Sequence, residues 1–174
     1  MEALSLRQSK RAFSDKELTT QQLSDLLWAA FGINRPDDDK RTAPSAMNDQ
    51  EIDIYVSIKS GVYLYEAKNN NLKAIKEGDF RKKMGRQGFV ADAPVVLVFV
   101  ADYSKMSLAM SKESKDFYAA TDVGFISQNV YLFAASEQMA TVVLGMFDRG
   151  DISKVIPLTK NQKILLTQPL GFPK

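Results

Sequence analysis

A basic, polar segment near the N-terminus, Arg7-Gln8-Ser9-Lys10-Arg11, contains residue types that bind anions. The guanidinium of Arg7 and the hydroxyl of Ser9 can contact the same phosphate, and each charge-assisted hydrogen bond contributes about 1.5–3 kcal/mol. A basic turn on a solvated surface has the same composition. The spacing alone therefore leaves both interpretations open.

A second polar segment, Thr42–Asn48, precedes an alternating stretch that begins at Ile52. Pro44 stiffens the segment, and the amide of Asn48 can both donate and accept hydrogen bonds. Such an amide suits a ring that presents alternating donors and acceptors. An ordinary turn with an Asx motif is the alternative, and it is favoured when this segment is considered alone.

A glycine, Gly145, interrupts the apolar segment Val143–Phe147. Glycine at the end of a buried strand indicates that the backbone comes close to something flat. A β-bulge is an alternative that explains the pattern at least as well.

The composition excludes several kinds of catalytic chemistry. The 174 residues, which suit one domain over residues 1–174, include no Cys and no His. Disulfides, thiol nucleophiles, Ser-His-Asp triads and metal sites built on Cys or His are therefore impossible, and no metal is expected. An enzyme of this composition relies on its other polar side chains or on a cofactor. We also expect the rate of any turnover to depend little on pH between about pH 6 and 8.

The charge balance and the hydropathy limit the partners. There are 23 Lys and Arg against 21 Asp and Glu, a net charge of +2, which gives no reason to expect nucleic acid or an anionic membrane. No apolar stretch approaches the roughly 18 residues of a membrane helix, and the first residues do not resemble a signal peptide. We expect a soluble protein, cytoplasmic by default and exported if a leader has been removed.

The first half of the chain shows clear hydrophobic periodicity. Thr19 and Gln22 match a capping box, and the apolar spacing behind them predicts a helix that ends at Gly32 as its C′ residue. Alternation from Ile52 to Ile58 predicts a half-buried strand. The stretch Gly61–Ile75 predicts a β-hairpin.

The second half predicts strands around one long helix. An apolar run predicts a strand at 94–101, and Glu113–Gln138 predicts a long, central, buried helix. Further strands are predicted at Ala140–Phe147 and Gln162–Gln168, with a short helix at Asp151–Ile156 between them. The predicted fold class is α+β, a mixed central sheet flanked by helices.

Four segments together resemble the FMN-dependent nitroreductase family, and the resemblance covers almost the whole chain. Leu6–Phe13 is similar to the family's opening Arg-x-Ser-x-(Arg/Lys)-x-Phe signature, and Ala43–Asn48 to its Pro-Ser-(Ser/Ala)-x-Asn loop. Asp122–Asn129 is similar to the central-helix pattern Asp-x-Gly-x-x-x-Gln-Asn. Val143–Asp148 resembles the strand that ends beside the flavin. The resemblance implies a nitroreductase-like fold.

The resemblance implies binding roles for the first segment. Arg7 and Ser9 would hold the phosphate and ribityl chain of FMN, and Gln8 would take a His or Arg position near the cofactor. Arg11 would lie at the N1/C2=O edge of the isoalloxazine ring. A fixed cation there stabilises negative charge on the reduced flavin and raises its potential.

The resemblance also assigns residues further along the chain. Asn48 would bind the pyrimidine edge or the ribityl hydroxyls, and the backbone N–H groups of Leu144 and Gly145 would lie near flavin N5. Three residues of the loop would come from the partner subunit of a homodimer: Pro44, Ser45 and Ala46.

Two positions depart from the family pattern. Glu51 stands where some members carry a cation near the flavin, and a carboxylate there would lower the potential. Lys174 is the one candidate for the C-terminal basic pair with which many members bind the phosphate. The resemblance thus implies weaker phosphate binding or reliance on Arg7.

The leading hypothesis is a homodimeric FMN oxidoreductase. NADH or NADPH would reduce the flavin, and a nitroaromatic or quinone-type acceptor would be reduced in turn through flavin N5, with ping-pong kinetics. An alternative follows from the hairpin Gly61–Tyr65 and Gly78-Asp79, which resemble the azoline-dehydrogenase-like branch. Such an enzyme would oxidise a heterocycle and would need a base such as Tyr63, Tyr65 or a lysine. Flavin binding without turnover is a further alternative.

Overall fold

Six of the eight strands form one sheet in the computed structural model, which describes residues 1–174. The strands are β1 (Ile33–Arg35), β2 (Lys40–Arg41), β3 (Ile52–Ile58), β4 (Gly61–Glu66), β5 (Asn71–Glu77), β6 (Val95–Asp102), β7 (Ala140–Thr141) and β8 (Gln162–Gly171). The helices are α1 (Glu2–Leu6), α2 (Thr20–Phe31), α3 (Lys112–Ser136) and α4 (Arg149–Ser153). Short 3-10 turns lie at Pro36–Asp38, Ala46–Asn48, Arg81–Met84 and Gly88–Ala91.

The large sheet has the order β5-β4-β3-β6-β8-β7, and β1 pairs separately with β2. The α+β fold class is confirmed, but the prediction of a mixed sheet is wrong because every pairing is antiparallel. β6 and β7 do run in the same direction, but β8 is inserted between them and opposes both.

The capping box predicted before α2 is present. The Thr19 side chain accepts from the Gln22 N–H, and the Gln22 side chain accepts from the Thr19 N–H. The helix ends at Gly32, which has an extended conformation with φ −71° rather than a left-handed one. A Cβ on Gly32 would lie 2.5 Å from the Trp28 ring, so close packing requires this glycine.

β3 is buried on both faces, although its alternation predicted a half-buried strand. Ile54 and Val56 pack with α2 and α3, while Tyr55 packs on the opposite face with the 3-10 turns and α4. Ser57 is also fully buried. Because β3 lies between β4 and β6, and helical segments cover both sides of the sheet, its polar positions are buried as well.

The long helix α3 is buried on one face only. Val123, Ile126 and Val130 belong to the core that α3 shares with α2 and the sheet. On other parts of the helix Phe117 is 65% exposed and Phe125 is 43% exposed. The predicted long central helix is therefore present, and in the single chain one of its faces is buried. None of the helices is long and apolar enough to cross a membrane.

The predicted strand Ala140–Phe147 is mostly irregular. Only Ala140–Thr141 forms β7, and Leu144 adds an isolated bridge to Thr167. The chain leaves the ladder because the Val143 N–H donates to the Tyr131 hydroxyl at 3.0 Å instead of to a strand. This departure puts residues 143–145 beside the C-terminal half of α3.

Candidate functional site

Tyr131 joins two segments that are distant in the sequence. Its hydroxyl is 2.9 Å from Ser9 Oγ and accepts from the Val143 N–H at 3.0 Å. The guanidinium of Arg7 lies over its ring, 5.3 Å from the centroid. Residues 7–11, called the N-terminal strap below, are thus brought to residues 143–145.

The strap presents two guanidinium groups that have no anionic or hydrogen-bond partner in the chain. Arg7 and Arg11 are exposed, and neither guanidinium forms an ion pair or a hydrogen bond. The strap is fixed through its backbone instead, since the Lys10 N–H donates to the Thr141 carbonyl at 3.0 Å. Its guanidinium groups therefore remain available to an anion.

The two amides predicted near the flavin differ. Leu144 is buried, and its N–H donates to the Thr167 carbonyl at 2.7 Å, so this amide is occupied within the chain. The Gly145 N–H has no partner in the chain, and its residue is exposed. No atom lies within 4 Å of the position that a Cβ on Gly145 would take. This open space leaves room for a flat group against the backbone.

Residues 42–50, called the middle loop below, lie against another part of α3. The Ala46 N–H donates to Asp122 Oδ2 at 2.8 Å, and the Gln50 N–H donates to Ser45 Oγ at 3.0 Å. Asn48 Oδ1 accepts from the Gln50 side chain at 3.2 Å. Asp122 and Tyr131 are nine residues apart on α3, which is about 14 Å along the axis. One chain does not bring the middle loop to the strap.

The middle loop carries a strained backbone. Met47, Asn48 and Gln50 have φ values of 53°, 57° and 50°, in the left-handed region that residues other than glycine seldom adopt. Each such residue costs about 1–2 kcal/mol, although Asn tolerates the region better than Met. Pro44 is exposed at the start of this stretch. Backbone strain of this kind is concentrated at binding sites.

A buried carboxylate cluster lies under the middle loop. Glu51 is fully buried and both carboxylate oxygens lack a hydrogen-bond partner, so in the single chain this carboxylate is closed off from the surface. Burial raises the pKa of Glu51 to about 7, and the charges of Asp122 and Asp49 add to the rise. Burial also raises the pKa of Asp122, against the hydrogen bond from Ala46.

Two further predicted residues lie at the margins of the strap. Gln8 lines a cavity of about 280 Å³ with Gln138 and Pro173. Lys174 Nζ lies 3.9 Å from Asp92 Oδ2, so its charge faces a carboxylate rather than Arg7 and Ser9.

The two tyrosines considered as bases are engaged. The Tyr63 hydroxyl is 3.0 Å from Ser60 Oγ, and the Tyr65 hydroxyl donates to Asn70 Oδ1 at 2.8 Å. Burial raises the pKa of Tyr65 to about 12. Tyr65 is therefore not a base at neutral pH.

Comparison with known proteins agrees with this fold. The sequence model of the Nitroreductase family matches residues 4–172. The candidate nitroreductase MJ1384 of Methanocaldococcus jannaschii is 29% identical over 177 residues, which are 95% of this chain and 86% of the relative.

Two solved structures show how far the likeness extends. A candidate nitroreductase of Ralstonia eutropha JMP134 superposes with a TM-score of 0.94 at 36% identity, over 100% of this chain and 82% of the other. The NADPH:FMN oxidoreductase of Vibrio harveyi, complexed with NAD+, superposes with a TM-score of 0.73 at 23% identity, over 99% of this chain and 68% of the other. The second likeness is one of fold.

An antiparallel sheet, a long helix and a cationic strap beside an open amide therefore define a protein of nitroreductase-like fold. The chain belongs to the Nitroreductase family, and oxidoreductases are among its structural neighbours.

Proposed function

We propose that this protein is an FMN-dependent oxidoreductase. NADH or NADPH reduces the bound flavin, and a nitroaromatic or quinone-type acceptor is reduced in turn. The observation that carries the proposal is the contact of Arg7, Ser9 and the Val143 amide with Tyr131 in a Nitroreductase family chain, two residues before the free amide of Gly145. FMN supplies the redox chemistry at its N5 atom when it is bound, so the chain has only to bind and orient the flavin and its reactants.

The donors of the strap suit a phosphorylated flavin. Arg7 and Ser9 hold the phosphate and the ribityl chain, and Arg11 lies at the pyrimidine edge. Two unpaired guanidinium groups favour an anion over a neutral ligand. The sequence has no Gly-x-Gly-x-x-Gly fingerprint, which supports a mononucleotide rather than a dinucleotide cofactor.

The Gly145 amide is assigned to the N5 edge of the flavin. Its N–H is unpartnered and the space beside it is open, so a flat ring can come within hydrogen-bond distance of the backbone. Gln8 contributes near the cofactor from the adjoining cavity. Lys174 contributes less to phosphate binding than Arg7, because Asp92 offsets its charge.

A homodimer completes the proposed site. Pro44, Ser45, Ala46 and Asn48 of one subunit reach the flavin held by the strap of the other. The separation of the two segments along α3 supports this arrangement. The exposed apolar side chains of α3, Phe117 and Phe125, support it too, because a second copy would cover them.

The nicotinamide and the acceptor use the same face of the flavin in turn. This gives ping-pong kinetics, since the oxidised nicotinamide has to leave before the acceptor enters. The name of the Vibrio harveyi neighbour, an NADPH:FMN oxidoreductase, supports the choice of a nicotinamide as donor.

Flavin reconstitution followed by anaerobic reduction tests the proposal. We expect protein mixed with excess FMN to retain about one FMN per chain after desalting, to lose its yellow colour with NADH or NADPH, and to regain it when a nitroaromatic or quinone is added. Dithionite serves as the control reductant. If the desalted protein retains no flavin, the proposal is contradicted. Reduction by dithionite alone contradicts the enzymatic part and favours a binding protein.

A further inference from the structure

The hydroxyl of Tyr131 has a restricted choice of hydrogen-bond partners. The side chain is 8% exposed, and its oxygen accepts from the Val143 N–H at 3.0 Å. A phenol carries one hydrogen, and the partner in the chain that can accept it is Ser9 Oγ at 2.9 Å. In this contact either hydroxyl can be the donor, until a bound ligand determines which one donates.

An anionic ligand fixes that direction. Ionised phosphate oxygens accept hydrogen bonds and do not donate, so Ser9 has to give its single hydrogen to the phosphate. Ser9 Oγ can then only accept from its other neighbour, and Tyr131 has to donate. The result is a chain of donors that runs from the Val143 N–H through Tyr131 and Ser9 to the phosphate, each bond polarising the next.

We infer that Tyr131 is a positioning residue that makes the site select phosphorylated flavin over unphosphorylated flavin, by holding the Ser9 hydroxyl as a donor toward the phosphate. The inference rests on the proposed binding of FMN. Riboflavin ends in a neutral hydroxyl that can donate or accept, so it can bond Ser9 in either orientation and depends less on a Ser9 held as a donor. The same phenol also ties residues 143–145 to the strap, so both ends of the flavin are held relative to one side chain.

Binding of two flavins by a hydroxyl-deletion variant tests the inference. Dissociation constants for FMN and riboflavin are measured by quenching of flavin fluorescence, with wild-type protein and with Tyr131→Phe, which keeps the ring under Arg7. We expect the FMN constant to rise about 5- to 10-fold and the riboflavin constant to change less than about twofold. Ser9→Ala should lose at least the same factor, and the double variant should lose no more than Ser9→Ala alone.

The matched control is Tyr118→Phe on the same helix, because that hydroxyl has no partner in the chain; both constants should stay unchanged. Equal weakening of both flavins by Tyr131→Phe, or no weakening, overturns the inference while FMN binding stands. If Tyr131→Phe does not fold, Ser9→Ala has to lose FMN alone and Ser9→Thr has to retain it, and any other result overturns the inference. Wild-type protein that binds neither flavin overturns the proposed function itself.

Discussion

The N-terminal strap and the middle loop both lie against α3, but they use their polar groups in opposite ways. The strap is held by backbone and hydroxyl contacts and leaves Arg7 and Arg11 unpaired at the surface. The middle loop bonds its own amides to Ser45 and Asp122 and lies over a buried carboxylate cluster. The strap therefore exposes groups that can bind a ligand, whereas the middle loop uses its polar groups to hold its own conformation.

The difference indicates how the two regions respond to substitution. Changes in the strap should affect ligand binding with little effect on folding, because its guanidinium groups form no ion pair or hydrogen bond and Arg7 only lies over the ring of Tyr131. Changes under the middle loop should affect stability first, because a buried charge without a partner costs several kcal/mol. The predictions below test this division.

Arg7→Ala is expected to have the largest effect on binding. Loss of one charge-assisted contact to phosphate should weaken FMN binding by about 1.5–3 kcal/mol, or about 10- to 150-fold. Isothermal titration with FMN measures the loss. Lys68→Ala also removes one exposed positive charge and should bind FMN as the wild type does. A clear loss of stability of the unliganded Arg7 variant would break the division between the regions.

Glu51→Gln is expected to change the pH dependence of stability. Because the pKa of Glu51 is raised to about 7 in the folded state, the wild type keeps this proton while the unfolded chain loses it near pH 4.5. The free energy of unfolding should therefore fall as pH rises from about 4.5 through 7. Glutamine stays neutral, so the variant should gain about 1–3 kcal/mol on the wild type between pH 5 and pH 8.

Urea titrations at several pH values check this expectation. Glu77→Gln, at an exposed position on β5, is the control and should leave the slope unchanged. A Glu51→Gln variant with the same slope as the wild type would show that the buried carboxyl is not the titrating group.

Arg11→Ala is expected to have the smallest effect, and on potential more than on affinity. Removing a cation from the edge of the reduced flavin destabilises its negative charge by about 1–2 kcal/mol, which lowers the two-electron midpoint potential by about 20–40 mV. Reductive titration against a reference dye measures the shift. An unchanged potential combined with weaker binding would give Arg11 the same role as Arg7.

The local elements were predictable, and the contacts between them were not. The capping box of α2 and the alternation of β3 can be recognised from residues that lie close together in the sequence. The Ser9–Tyr131 contact joins residues 122 positions apart, and no local pattern marks Tyr131 as the residue that holds the strap. The motif Asp122–Asn129 lies close to Tyr131 in the sequence, but none of the four motifs indicates the role of Tyr131.

Burial caused the other differences. The absence of His suggested that no side chain titrates near neutral pH, yet the raised pKa of Glu51 supplies such a group. Leu144 and Gly145 are adjacent in one motif, but only Leu144 bridges to Thr167, so one amide is occupied and the other is free. The first outcome depends on the burial of Glu51 beside Asp122, and the second on the pairing of Leu144 with Thr167.

The insertion of β8 between β6 and β7 affects the order in which the chain can fold during synthesis. β6 can pair with β3 as soon as it leaves the ribosome, but its other edge has to wait for Gln162–Gly171. Until then an apolar strand edge is open to other nascent chains, and non-local pairing of this kind closes slowly. We therefore expect chaperones that shield strand edges to matter most while residues 103–161 are being made.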